Sequence, residues 1–193
     1  MKKVLLVFLT FIFCSQSSAQ RTDDGGHEDW EFALEYSGDF FQFALPAAAI
    51  TLTLVERDKE GTKKVLLSYA TTIALTLAMK DLVGKERPEG RGSFDSFPSG
   101  HTSSAFAGAA FIQIRYGWKY GWPAYLMASI TGVSRVEGPD GYHDFWDVLG
   151  GAAVGIGTVY LFTKPYDEKV KQFTFGFSSN RDRILISLYY QFP

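Results

Sequence analysis

Five apolar segments, covering residues 40–55, 65–79, 103–114, 124–133 and 148–162, are each 10 to 16 residues long. None alternates polar and apolar residues with the period of two expected of a half-buried strand, and each has helical composition and length. A chain that must bury five such runs against one another forms an all-α domain, expected here as a compact bundle of five to six helices. Every segment carries Thr, Ser or Gly and is shorter than the roughly 17–25 residues of a comfortable membrane span. Short spans in a bundle and buried helices of a soluble protein both fit that length. Gly151 and Gly155, four apart in the fifth segment, allow close helix approach in either setting.

The flanks are of another kind. Lys2 and Lys3 precede an apolar run from Val4 to Cys14, followed by small residues at positions 17 and 19. That pattern reads as a secretory signal over residues 1–19, cut after Ala19, with an uncleaved anchor as the alternative. Residues 20–39 are polar and rich in Gly, Asp and Glu, a loosely held leader with Trp30 and Phe32 as docking points. The helical domain is then 40–165. In the tail, 166–193, Phe173, Phe175 and Phe177 alternate with polar or small residues, as do Ile184, Ile186, Leu188 and Tyr190 after a polar turn. This predicts a short C-terminal β-hairpin, which must pack on the bundle, on lipid or on another chain to be stable.

Charge narrows the setting. Without Lys2 and Lys3, 17 basic residues face 21 acidic ones, a net charge of −4. No basic block or aromatic-basic stripe is present, so nucleic acid is not an expected partner. The only cysteine, Cys14, leaves with the signal, and with it any disulfide or thiol chemistry. Arg57, Lys59, Lys63 and Lys64 follow the first segment, Arg115 and Lys119 the third, and Lys164, Lys169 and Lys171 the fifth. If the segments span a membrane these connections share one face, and their Lys/Arg excess, diluted by Glu56, Asp58 and Glu60, is that of a cytoplasmic side. A mean hydropathy of −0.03 favours the soluble version instead.

Three polar stretches beside these segments hold the residues suited to chemistry. Lys80 closes the second apolar segment, and Arg87 follows seven residues later before Pro88, which biases Arg87 toward an extended backbone. A point charge and a planar bidentate donor near one helix end suit a phosphate; they equally suit the helix macrodipole. Pro98-Ser99-Gly100-His101 precedes the third segment. Ser99 can cap that helix, Gly100 lets an anion approach the backbone, and His101 can protonate a leaving oxygen. The plainer reading is a capped helix with a surface histidine. Arg135 ends the fourth segment, and His143 and Asp147 stand four apart at the start of the fifth, on one helical face. The carboxylate can orient one ring nitrogen and leave the other as a nucleophile, or the pair can simply stabilise the helix start.

Together these stretches resemble the motifs of the type 2 phosphatidic acid phosphatase and vanadium haloperoxidase superfamily, over roughly residues 40–165. Lys80 with Arg87-Pro88 is similar to the first motif and Pro98-Ser99-Gly100-His101 to the second. Ser134-Arg135 with His143 and Asp147 is similar to the third, except that seven residues, 136–142, separate Arg from His where the family has five. The resemblance implies a membrane-embedded bundle in which His143 is the nucleophile, forming a phosphohistidine, and Asp147 orients it. It implies that His101 protonates the leaving group and then activates water, while Lys80, Arg87, Ser99, Gly100 and Arg135 hold the phosphoryl oxygens. No metal or other cofactor is implied.

The expected function is a metal-independent phosphatase of a lipid phosphate or pyrophosphate, with a phosphorylated lipid or isoprenoid as substrate. It would work in the inner membrane with its site facing the periplasm. The alternatives are a soluble periplasmic acid phosphatase of small phosphomonoesters, vanadate-dependent halide oxidation on the same residues, and a non-catalytic envelope interaction protein with a degenerate site.

Overall fold

The computed structural model describes residues 28–88, 92–139 and 143–166, and the backbone of 173–180 and 183–190. The described bundle contains five helices: α1 (Asp29–Val55), α2 (Lys59–Val83), α3 (Gly100–Tyr116), α4 (Trp118–Glu137) and α5 (Phe145–Phe162). The expected signal over 1–19 and the first part of the expected leader lie outside the described residues.

Each helix is longer than its apolar run because polar residues supply its ends. Glu28 and Glu31 form a reciprocal capping box that starts α1 at Asp29. Residues 29–39, read from sequence as leader, are therefore helical, and Gly38 among them is buried. Asp58 caps α2, accepting from Gly61 N at 2.8 Å. Gly84, with φ 55°, ends α2 in the left-handed conformation and donates its N–H to Lys80 O at 3.0 Å. Asp144 caps α5 through a second capping box with Asp147.

These extensions correct the expectation that no segment reaches spanning length. α1 has 27 residues, α2 25 and α5 18, and all three are long and apolar enough to cross a membrane. α2 is apolar on the outside: Leu66, Leu67, Ile73, Leu75 and Leu77 are exposed, while Ser68, Thr72 and Thr76 are buried. The buried hydroxyls find partners within the bundle, Thr72 Oγ1 with Thr158 Oγ1 at 2.6 Å and Thr76 Oγ1 donating to Ser103 Oγ at 3.0 Å.

α3 is the hub, touching the other four helices. It serves that role because it is built of small residues, with Ala105, Ala107, Ala109 and Ala110 buried beside Phe111 and Ile112. Glycines on its neighbours bring their backbones close. A Cβ on Gly151 would lie 2.5 Å from Ser99 O, and one on Gly155 2.4 Å from Ser103 O. The spacing noted in the fifth segment thus seats α5 directly on α3.

The end of the bundle away from the α3 N-terminus is tied by a buried ion pair. Arg115 Nε and NH2 donate to the two Asp58 oxygens at 2.6 and 2.7 Å, and NH1 donates to Lys164 O at 2.9 Å. Arg115, read from sequence as a loop charge, is therefore consumed in packing. In the tail, the backbone of β1 (Phe173–Asn180) runs antiparallel to that of β2 (Arg183–Tyr190), with Phe173 opposite Tyr190.

Replacing Gly155 with Val is expected to destabilise the fold by about 1–3 kcal/mol, because the new Cβ meets backbone that cannot yield cheaply. Gly157→Ala, whose Cβ would meet nothing within 4 Å, leaves stability unchanged or slightly higher. Thermal unfolding of both variants in detergent tests the contrast.

Candidate active site

Lys80 near the end of α2, the following loop, the start of α3, the end of α4 and the start of α5 meet at one end of the bundle. The eight residues singled out from sequence all lie there, in two linked groups.

The first group surrounds α5. Asp144 Oδ1 accepts from Trp146 N at 2.9 Å and Asp147 N at 3.1 Å, which fixes the first turn. Asp147 is wholly buried. Its Oδ1 accepts from Lys85 Nζ at 2.8 Å, and its Oδ2 from Ser96 Oγ at 2.5 Å and Asp144 N at 3.1 Å. His143 Nδ1 stands 3.5 Å from the same Oδ2 and is buried with no hydrogen bond. The pairing of His143 with Asp147 is thus one of proximity, while the carboxylate's hydrogen bonds go elsewhere. Burial, then the nearby charges of Lys80 and Arg87, push the His143 imidazole down to about 4 against the opposing pull of Asp147. Its ring is neutral at pH 7.

The cations of the first motif lie alongside. Arg87 has left the helix, as Pro88 requires, and grips Asp95 in a fork, Nε to Oδ1 at 2.8 Å and NH2 to Oδ2 at 2.9 Å. These bonds and one from the Ser93 hydroxyl hold the Asp95 carboxyl well below the usual carboxylate range. Lys80 Nζ donates to Asp95 O. The Lys80 stem runs beside Gly100, where an added Cβ would lie 4.0 Å from Cε.

The second group joins α1, α3 and α4. Asp39 Oδ1 lies 3.2 Å from His101 Nε2 and 3.1 Å from Arg135 NH1, bridging an imidazole and a guanidinium. Close packing puts it there: a Cβ on neighbouring Gly38 would fall 1.8 Å from Ser134 Oγ. His101 is on the first turn of α3, outside the three spanning helices. Burial and then Arg135 lower its proton affinity, with Asp39 working the other way.

Ser99 is buried, and its Oγ accepts from Thr102 Oγ1 at 3.0 Å and from Thr102 N at 3.5 Å. It caps α3, and its N–H donates to Asp147 O at 2.9 Å, which binds the second motif to the third. The longer connection between Arg135 and His143, of which 140–142 lie outside the described residues, returns on itself. His143 N donates to Arg135 O at 3.3 Å, so the extra length does not part the two.

Sequence reasoning missed four contributors. Lys85, Asp95 and Ser96 lie in or between the first two motifs, where a loop gives no periodicity to reveal contacts. Asp39 lies in the stretch read as leader, without any motif. Among the described residues, no group of three or more His, Cys, Asp or Glu side chains is placed to hold a metal ion.

The chain matches the model of the PAP2 superfamily over residues 61–171. It is 31% identical to a lipid A 4'-phosphatase of Helicobacter pylori over 72% of this chain and 73% of that relative. It is 42% identical to a lipid A 1-phosphatase of Porphyromonas gingivalis over 48% of this chain, a region spanning 22% of that longer relative. The fold superimposes on Aquifex aeolicus LpxE with a TM-score of 0.60 at 19% identity, covering 81% of this chain and 93% of that one. A transmembrane PAP2 type phosphatidylglycerolphosphate phosphatase from Bacillus subtilis gives 0.55 at 23% identity, covering 90% and 100%. At such identities these structures share the fold.

Histidine NMR in detergent micelles, with His143→Ala for assignment, is expected to place the His143 titration near pH 4 rather than 6.5. The sign follows from burial and two cations, all of which disfavour the charged ring. A titration at or above 6.5 contradicts that environment.

Proposed function

Because the chain belongs to the PAP2 superfamily and is a phosphatase of it, we propose that it removes a phosphate from a membrane lipid through a phosphohistidine intermediate. The observation that carries the reading is the convergence of Lys80, Arg87, Arg135 and two neutral imidazoles on one end of a bundle whose outer surface is apolar.

In the proposed reaction the phosphoryl group displaces Asp95 and Asp39 from the guanidinium groups of Arg87 and Arg135. Lys80 and the backbone at Gly100 take the remaining oxygens. The phosphate dianion, arriving beside His101 in place of Asp39, draws a proton onto that ring, so His101 enters the reaction as an imidazolium. Nε2 of His143, the ring nitrogen turned from Asp147, attacks phosphorus, and the bond to the leaving oxygen breaks as the His101 imidazolium gives that oxygen its proton and becomes neutral. Asp147 offsets the charge that then resides on the His143 ring. His101 next takes a proton from water, the resulting hydroxide breaks the P–N bond, and phosphate leaves. The cations and helix amides stabilise charge spread over the phosphoryl oxygens, where such donors have most effect. Ser99 contributes by capping the helix that presents these amides.

The setting follows from the outer surface. Leucines facing outward on α2 fit lipid rather than water, which favours the membrane over the soluble alternative. Lys59, Lys63 and Lys64 on α2, with Lys119 and Lys164, lie toward the end opposite the site. That bias supports a cytoplasmic location for them and a periplasmic one for the site. The signal segment and the C-terminal hairpin belong to the same reading, the hairpin's apolar alternation supporting a place against lipid or the bundle. The relatives named lipid A phosphatases make a lipid A phosphate the first substrate to try.

The test is phosphate release in detergent with EDTA present, from lipid A, phosphatidate, phosphatidylglycerophosphate, undecaprenyl diphosphate and one soluble phosphomonoester. Release from a lipid that survives chelation and falls on the order of 10³-fold or more in His143→Ala is expected. His101→Ala is expected to lose about 10²–10⁴-fold. No release from any substrate by folded wild type overturns the reading, and preference for the soluble ester overturns its lipid part.

A further inference from the structure

Lys85 stands in sequence between the two cations of the first motif, just past the end of α2, and reaches across to the start of α5. Its Nζ lies 2.8 Å from Asp147 Oδ1 and 2.5 Å from Asp144 Oδ2. Its carbonyl accepts the Ser96 N–H at 3.0 Å, and the Ser96 hydroxyl reaches the other Asp147 oxygen at 2.5 Å. Residues 85 and 96 therefore close on Asp147 from both sides, as one clamp made by the two strands of the α2–α3 loop.

A wholly buried carboxylate needs a counter-charge. His143 does not supply it, because its ring is neutral and its Nδ1 makes no hydrogen bond. Lys80 and Arg87 are engaged with Asp95. Lys85 alone among the described cations is within hydrogen-bonding distance of Asp147. Its burial works against its own charge, but the bonds to Asp144 and Asp147 outweigh that and raise its proton affinity.

We propose that Lys85 is a positioning residue of the phosphatase reaction, clamping Asp147 to Asp144 so that the buried carboxylate stays charged and fixed behind His143. This rests on the phosphatase reading. The division of labour is clear from the contacts: Lys85 neutralises Asp147 in the resting enzyme, so that His143 does not have to, and the imidazole keeps its lone pair. When the ring becomes cationic on phosphoryl transfer, Asp147 is already in place beside it.

Other charges around the dyad do not substitute for Lys85. Lys80 from α2 and Arg87 with Asp95 from the loop lie on the phosphate side, and Asp144 from α5 carries the same sign as Asp147. Arg135 from α4 and His101 from α3 are paired with Asp39 of α1. Without Lys85, the His143–Asp147 pair takes up a proton at higher pH, on the ring or on the carboxylate, and either form is inactive.

The experiment compares full-length wild type, Lys85→Met and Lys85→Arg in detergent. It follows the pH dependence of kcat/KM and, separately, the NMR titration of the His143 ring. Lys85→Met is expected to move the acidic limb and the ring titration upward by about one pH unit or more. Its kcat falls about tenfold or more, with KM changing less than about threefold. Lys85→Arg keeps the wild-type profile within about half a unit. A Lys85→Met enzyme with an unmoved limb and titration overturns the proposal, even if it is less heat-stable. If Lys85→Met does not fold, Lys85→Gln, which removes the charge but keeps a polar end, must shift the titration upward as well, and no shift overturns the proposal. The ring titration needs no turnover, so a wild type that hydrolyses nothing overturns the phosphatase reading while the Lys85 test still stands.

Discussion

The approach of α5 to α3 is the constraint on which the site depends. Gly151 and Gly155 let the α5 backbone lie against Ser99 and Ser103, closer than any side chain would permit. That distance allows the Ser99 N–H to reach Asp147 O, which locks the start of α3 to the first turn of α5. The second and third motifs then sit side by side, and both histidines are presented at one end of the bundle. A single Cβ between the helices would separate groups that no loop could bring back together.

Around this contact the polarity of the bundle is inverted in places. α2 turns its leucines outward and its hydroxyls inward, and the stripe Ser68, Thr72 and Thr76 leads along one face to Lys80. Water is excluded along most of that stripe, so each hydroxyl takes its partner from a helix backbone or a facing side chain. At the site the same rule applies to charge. Arg87 has Asp95, Arg135 has Asp39, and Lys85 serves both Asp144 and Asp147, so each of these charges meets an opposite one in the resting site.

Much of this was legible in the sequence. Five apolar runs predicted the bundle, Pro88 predicted that Arg87 leaves the helix, and the spacing of Gly151 and Gly155 marked a close helix contact. The motif residues were singled out because their types and spacing suit one chemistry, and the fold brings them to one end of the bundle. The helices were read too short, since apolar runs mark where a helix is buried, whereas Glu28, Asp58 and Asp144 mark where it starts. Asp39 was hidden because its role comes from the packing of Gly38 on Ser134, a contact nearly a hundred residues away in the chain. Arg115 was misread as a loop charge because nothing local reveals that Asp58 is buried opposite it. Lys85 was in view within the first motif, but only the folded loop shows which carboxylate it holds.

The paired guanidinium groups have a consequence for product release. In the proposed reaction a phosphate entering the site would exchange one anion for another, because Arg87 and Arg135 already hold carboxylates of their own. The free energy of binding is then a difference between two ion pairs, and it is smaller than that of a phosphate meeting bare cations. In the proposed reaction, once the product loses its bond to His143, Asp95 and Asp39 would compete for the same donors. On that reading the site is built to let go of inorganic phosphate, with its two carboxylates as tethered eluents that would limit product inhibition.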